Sequence, residues 1–280
     1  MTLDTLSTAR AFGGEQRVYR HASTATGTDM EFAVFLPAEA LRGEACPTLF
    51  YLSGLTCTWE NATSKAGYQR LAALHGMIVV APDTSPRGDT VADDEAYDLG
   101  KGAGFYVDAT QAPWAPNFNM ETYVAEELFD LVTAEFPVWE GAVGITGHSM
   151  GGHGALTLAM RHPDRFRSVS AFAPIANPAA CPWGEKAFSA YLGENREDWR
   201  EHDACELLRT RGWSGDILVD QGGSDGFLAE QLHPYALDEA CRQAGVELTL
   251  RIQGGYDHSY NFIATFLEDH FAWHSERLTG

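Results

Sequence analysis

Residues 142–163 read AVGITGHSMGGHGALTLAMRHP, and the reading of Ser149 at their centre decides the rest of the chain. An apolar, β-branched run enters the frame Gly147-His148-Ser149-Met150-Gly151, and a helix-forming run leaves it. A G-x-S-x-G frame between strand and helix is the pattern of a nucleophile elbow, a sharp turn that lifts a serine hydroxyl clear of the backbone. The pattern alone does not choose a serine, because Gly222-Gly223-Ser224-Asp225-Gly226 fits it too. Context favours Ser149. After Ser224 only one further strand and one histidine-bearing loop remain, too little chain to hold both partners that such a serine needs.

Outward from the elbow, short β-branched runs alternate with helical patterns. Strands are expected near 17–23, 30–37, 48–54, 77–83, 142–147, 168–175, 216–222 and 247–254. The first two, joined through TATGTD, form an antiparallel hairpin. From the third onward the spacing requires helical crossovers, hence parallel strands. Val124, Leu128, Leu131 and Val132 make one face of a helix that ends before Pro137, and Phe262, Ile263, Phe266, Leu267 and Phe271 make the stripe of a last helix. The expected fold class is α/β, with a mostly parallel central sheet of about eight strands and helices on both faces. Residues 84–119 carry GAGFYVD and APWAPNFN without a clear period, and their aromatic content favours an ordered excursion over the sheet.

Bulk properties narrow the function. A chain of 280 residues with 45% hydrophobic content can bury one large core, and no repeat or linker divides it, so one domain over 1–280 is expected. The formal charge of −20 disfavours nucleic acid, whose phosphates need a basic footprint. MTLDTLSTAR lacks a basic segment followed by an apolar one, and no run of apolar residues is long enough to span a bilayer. A soluble cytoplasmic protein without membrane partners is expected. Five widely spaced cysteines without a C-x-x-C pair argue against a disulfide framework and a zinc site.

With Ser149 as nucleophile, an α/β-hydrolase supplies its acid and then its histidine from loops after later strands. Asp225 follows the strand 216–222 and His258 follows the strand 247–254. Asp220 falls within or at the end of its strand, less free to reach an imidazole, and Asp257 adjoins His258 and points away. His148 and His153 are too near the elbow to swing over the serine, and His162 reads as a helix-end residue. The oxyanion donors are expected at the backbone N–H of Met150 and, in the loop Ser53–Cys57, at that of Leu55 beside Gly54.

The motifs around these residues resemble those of the S-formylglutathione hydrolases, also called esterase D. The likeness runs in order through YLSGLTCTWENATSKAGYQRLAALHG (51–76), APDTSPRG (81–88), GAGFYVDAT (102–110), GHSMGGHGAL (147–156), FAPIANP (172–178), CPWGEKAF (181–188), DQGGSDGFL (220–228) and GYDHSYNFIATF (255–266). The resemblance implies hydrolysis of the thioester S-formylglutathione to glutathione and formate, without metal or organic cofactor, by a homodimer. It places the triad on Ser149, Asp225 and His258 and the oxyanion donors on Leu55 and Met150. The alternative reading is a broad short-chain carboxylesterase with the same residues. Trp183 is a candidate wall of a small acyl pocket, against a plain buried tryptophan, and Cys57 a candidate pocket residue, against a small buried hydrophobe. Two stretches depart from the family pattern: Ala176 stands where a cysteine is common, which bears on thiol sensitivity, and 89–102 is unusually acidic, which bears on glutathione contacts.

Overall fold

The computed structural model describes residues 3–280; residues 1 and 2 lie outside the described residues. A single nine-stranded sheet runs through it in the order β1-β2-β3-β5-β4-β6-β7-β8-β9. The strands are β1 Asp4–Ala11, β2 Gly14–Ala22, β3 Asp29–Leu36, β4 Cys46–Leu52, β5 Ile78–Pro82, β6 Val138–Gly147, β7 Ser168–Phe172, β8 Ile217–Gly222 and β9 Leu248–Gln253. β1, β2, β3 and β5 pair antiparallel in turn, and β5, β4, β6, β7, β8 and β9 pair parallel. This is the expected α/β-hydrolase class with one strand more than expected. The extra strand is β1, whose residues are almost all exposed, so no apolar alternation marks it.

Two glycines of β6, an odd number of residues apart, show how the sheet is covered on both faces. A Cβ on Gly144 would meet His274 of the C-terminal helix Tyr260–Thr279, whereas one on Gly147 would meet Gly151 of the helix Met150–Arg161. Neighbouring residues of a strand point to opposite faces, so these two helices sandwich the strand that leads to Ser149. Phe262, Ile263, Leu267 and Phe271 of the C-terminal helix are buried, with Phe266 packed at the edge of the core. Val124, Leu128, Leu131 and Val132 are buried on a helical run over 120–135 whose middle, Tyr123–Leu128, is π-wound. β7 stops at Phe172, short of the expected 175. Ala173 turns away with a left-handed φ of 42°, and Pro174 has no N–H to continue a ladder.

Residues 84–119 are the ordered excursion that their aromatics suggest. Phe105, Tyr106, Val107 and Phe118 are buried, and the segment is tied to the loop after β4 at several points. Thr84 Oγ1 donates to Cys57 O at 2.5 Å, Tyr106 Oη to Ser53 O at 2.8 Å, and Thr56 N to Gly102 O at 2.8 Å. Gly102 N in turn donates to Ser85 Oγ at 2.8 Å. The loop Ser53–Cys57 is therefore held from behind by chain that is remote in sequence. Among the described residues, no helix is long and apolar enough to cross a membrane.

Candidate active site

Ser149 stands at the N-terminus of the helix Met150–Arg161 with φ 59° and ψ −118°, a backbone conformation disfavoured for any residue with a side chain. Such a conformation costs about 1–3 kcal/mol and persists only where packing fixes it. Here the fixing is by contact. A Cβ on Gly151 would lie 2.0 Å from Leu52 O, and one on Gly147 would lie 2.2 Å from Gly151 O, so only glycines let strand and helix approach closely enough to force the turn. Ser149 N donates to Phe172 O at 3.0 Å and anchors the turn to β7.

Asp225 and His258 leave the ends of β8 and β9 and meet. His258 Nδ1 lies 2.5 Å from Asp225 Oδ2, with the Asp225 side chain fully buried. Gln221 Nε2 donates to the same oxygen at 3.2 Å, and Phe227 N donates to Oδ1 at 2.8 Å, so the carboxylate is aimed from two further sides. His258 and Ser149 line one cavity of about 270 Å3 together with Leu55, Cys57, Trp183 and Tyr260. Neither the Leu55 N–H nor the Met150 N–H donates a hydrogen bond among the described residues, which leaves both amides free for a ligand oxygen. The site thus offers a hydroxyl on a strained turn, an imidazole with one nitrogen held by a carboxylate, and two unspent backbone donors. Those are the parts an acyl transfer requires.

The competing residues fall elsewhere. Ser224 is exposed and outside the cavity lining, and its N–H donates to Tyr256 O at 2.9 Å. Asp257 accepts from Ser259 N and Oγ at 3.0 and 2.6 Å, turned to its own loop. His162 Nε2 pairs with Glu121 at 2.9 Å, and His153 Nε2 lies 3.0 Å from Phe105 O. Asp220 does reach an imidazole, contrary to expectation, but a different one: His270 Nε2, at 3.0 Å. From there a buried relay runs through Ser170 and His274 to Ser168, in steps of 2.7–2.8 Å. This second serine–histidine–aspartate set is fully enclosed between sheet and C-terminal helix, where no substrate reaches it. It holds the helix to the sheet.

Four cavity residues escape a reading by motif. His148, set aside as too near the elbow, packs its ring 4.4 Å from that of His258, and both its nitrogens lack partners among the described residues. Burial, aided by the His258 charge, holds its pKa well below the usual histidine range, so it presents a neutral ring to its neighbour. Phe227 packs against the His258 ring with centroids 5.1 Å apart, while Tyr260 and Tyr97 complete the wall. Phe227 follows Asp225 by two residues and Tyr260 follows His258 by two, so proximity along the chain was the available signal. Tyr97 had none.

Residues 23–276 match the profile of a family described as Putative esterase. The chain is 58% identical to an S-formylglutathione hydrolase of Paracoccus denitrificans (strain Pd 1222), over 99% of this chain and 100% of that one. It is 50% identical to the S-formylglutathione hydrolase of Mus musculus over the whole of both chains. The chain belongs to the S-formylglutathione hydrolase family. A solved structure of an S-formylglutathione hydrolase from Agrobacterium tumefaciens superposes with a TM-score of 0.96 at 47% identity, covering 98% of this chain and 99% of that one.

Trp183 is nearly buried and lines the cavity, donating from Nε1 to Tyr97 Oη at 3.1 Å. Ala176 lies in the core, where its carbonyl accepts from Cys205 Sγ at 3.3 Å, and is not part of the cavity lining. Cys57 lines the cavity and is half-buried, whereas the other four cysteines are buried. Burial pushes its thiol up, against smaller opposing effects of Tyr260 and Lys65, so the thiolate is scarce at neutral pH. An alkylating reagent is therefore expected to inactivate the protein slowly near neutrality and faster as pH rises. Cys57→Ser is expected to stay active and become resistant, because its sulfur makes no contact that a hydroxyl would lose. Residual activity and mass mapping of the adduct check both points, and equal inactivation of the two proteins would assign the effect to another cysteine.

Proposed function

We propose that this chain is a serine thioesterase that hydrolyses S-formylglutathione to glutathione and formate. The observation that carries the reading is the 2.5 Å contact of His258 with buried Asp225 at the wall of the cavity that Ser149 enters on its strained turn. Ser149 Oγ attacks the formyl carbon as His258 Nε2 takes its proton, and Asp225 fixes the tautomer and stabilises the imidazolium. The N–H groups of Leu55 and Met150 receive the oxyanion. Collapse breaks the C–S bond, glutathione leaves with the proton from His258, and the formyl group stays on Ser149. Water then attacks with His258 as base, and formate leaves. A thiolate departs more readily than an alkoxide, so His258 matters most in the second half.

The substrate class follows from family membership, and the small cavity, walled by Trp183, Phe227 and Leu55, suits a one- or two-carbon acyl group. The test is kcat/KM for S-formylglutathione against a short aryl ester. We expect a preference for the thioester of at least about a hundredfold; comparable values would favour a broad carboxylesterase with the same residues. We further propose that the chain works as one domain, a reading supported by its single sheet. A cytoplasmic location is supported by five unbonded cysteines, which suit a reducing compartment. The homodimer rests on family resemblance alone, and light scattering tests it.

A further inference from the structure

A protein of formal charge −20 has a difficulty with a glutathione thioester, which carries two carboxylates and one ammonium. One rim of the cavity sharpens it. Tyr97, which lines the cavity, stands in a segment with exposed Asp93, Asp94 and Glu95, so a carboxylate approaching there meets like charge. The cations close by are already engaged: Lys101 with Asp93 at 3.6 Å, Lys186 with Asp98 at 2.5 Å, and Arg87 with Asp83 at 2.9 Å.

Lys65 differs. It is exposed on the π-wound turn Ala62–Ala66, has no salt bridge among the described residues, and holds its Nζ 5.9 Å from the ring centroid of Tyr260. Tyr260 is the end of a continuous aromatic wall. From it the ring contacts run to His148 at 5.9 Å, His258 at 4.4 Å, Phe227 at 5.1 Å, Trp183 at 4.7 Å and Tyr97 at 6.5 Å. The free cation thus lies at the Tyr260 end of this run of ring contacts and the acidic segment at its Tyr97 end.

We infer that Lys65 is a specificity-determining residue that docks a carboxylate of the glutathionyl group. The inference rests on the thioesterase reading above and deepens it. An extended tripeptide spans about 10 Å, the scale of the two ring contacts that separate His258 from Tyr260, so a substrate whose acyl group sits at His258 reaches toward Lys65. An exposed ammonium paired with a carboxylate gives a modest, salt-sensitive gain, enough to orient a substrate without trapping the product.

The experiment compares two formyl thioesters, S-formylglutathione and the uncharged S-formyl-N-acetylcysteamine, in wild type, Lys65→Met, Lys65→Glu and Lys65→Arg. Lys65→Met is expected to raise KM for S-formylglutathione about fivefold with kcat within about twofold, while kcat/KM for the uncharged thioester moves less than about twofold. Lys65→Glu should raise KM further and Lys65→Arg should restore it. Added salt should raise KM in wild type and have less effect in Lys65→Met. Equal losses on both thioesters would mean that Lys65 acts by packing on Tyr260, and no loss on either would mean that the carboxylate docks elsewhere; each overturns the inference. A wild type that turns over only the uncharged thioester would overturn the S-formylglutathione reading as well.

Discussion

Ser149→Ala is expected to lower kcat for thioester hydrolysis by at least about 10^4-fold, whereas Ser224→Ala should retain most activity. The contrast follows from placement. Ser149 occupies the strained turn at the mouth of a helix and shares a cavity with His258, while Ser224 is exposed outside that cavity. Because Ser149 Oγ makes no side-chain hydrogen bond among the described residues, its removal should leave the fold untouched. Single-turnover kinetics together with circular dichroism checks this. Comparable losses in both variants, with folding intact, would move the nucleophile.

The two aspartates at the end of β8 should separate activity from stability. Asp225→Asn is expected to cost about 10^4-fold in kcat, because an amide donates where the carboxylate accepted and favours the wrong tautomer of His258. Its melting temperature should change little. Asp220→Asn should behave in the opposite way. Burial pushes the Asp220 carboxyl up, but hydrogen bonds from His270 and Arg251 outweigh it and hold the group below the usual carboxylate range. Breaking such a buried pair costs about 3 kcal/mol or more, which for a chain of this size lowers the melting temperature by on the order of 10 °C. Since the folded pKa is depressed, this stability is present above the ordinary aspartate range and is lost as pH falls through the folded value. Wild type should lose the Asp220 contribution on acidification, and Asp220→Asn should show a flatter acid limb. Thermal melts across pH, paired with activity, decide between the two; a reversed pattern would transfer the catalytic role to Asp220.

How far the sequence could be read depended on what each residue has to do. Strands buried on both faces, such as β4 and β8, announce themselves as apolar runs. β1 lies exposed along the sheet edge and carries no such mark, and β6 begins at Val138 through exposed residues that read as loop. The meeting of Asp225 with His258, and of His258 with Ser149 at one cavity, was legible because the order of strand ends along the chain constrains these residues before any contact is known. Asp220 and His270 were not, because their pairing joins a strand to a helix 50 residues away and obeys no chain-order rule. The cavity wall was the least legible part. Tyr97 reaches it from the acidic segment only because the excursion folds back over the sheet, a path that local pattern does not encode.

That excursion has a kinetic consequence. Tyr106 holds Ser53, Thr84 holds Cys57 and Gly102 holds Thr56, so the loop that carries the Leu55 amide is fastened to the excursion at three points, while Lys186 holds Asp98 within the excursion itself. That loop is not a free flap. Turnover is then expected to wait for no opening or closing of that loop, and pre-steady-state traces should show no lag. On the proposed assignment the Leu55 and Met150 amides are already in position when substrate arrives, and reorganisation energy is spent when the chain folds rather than in each catalytic cycle.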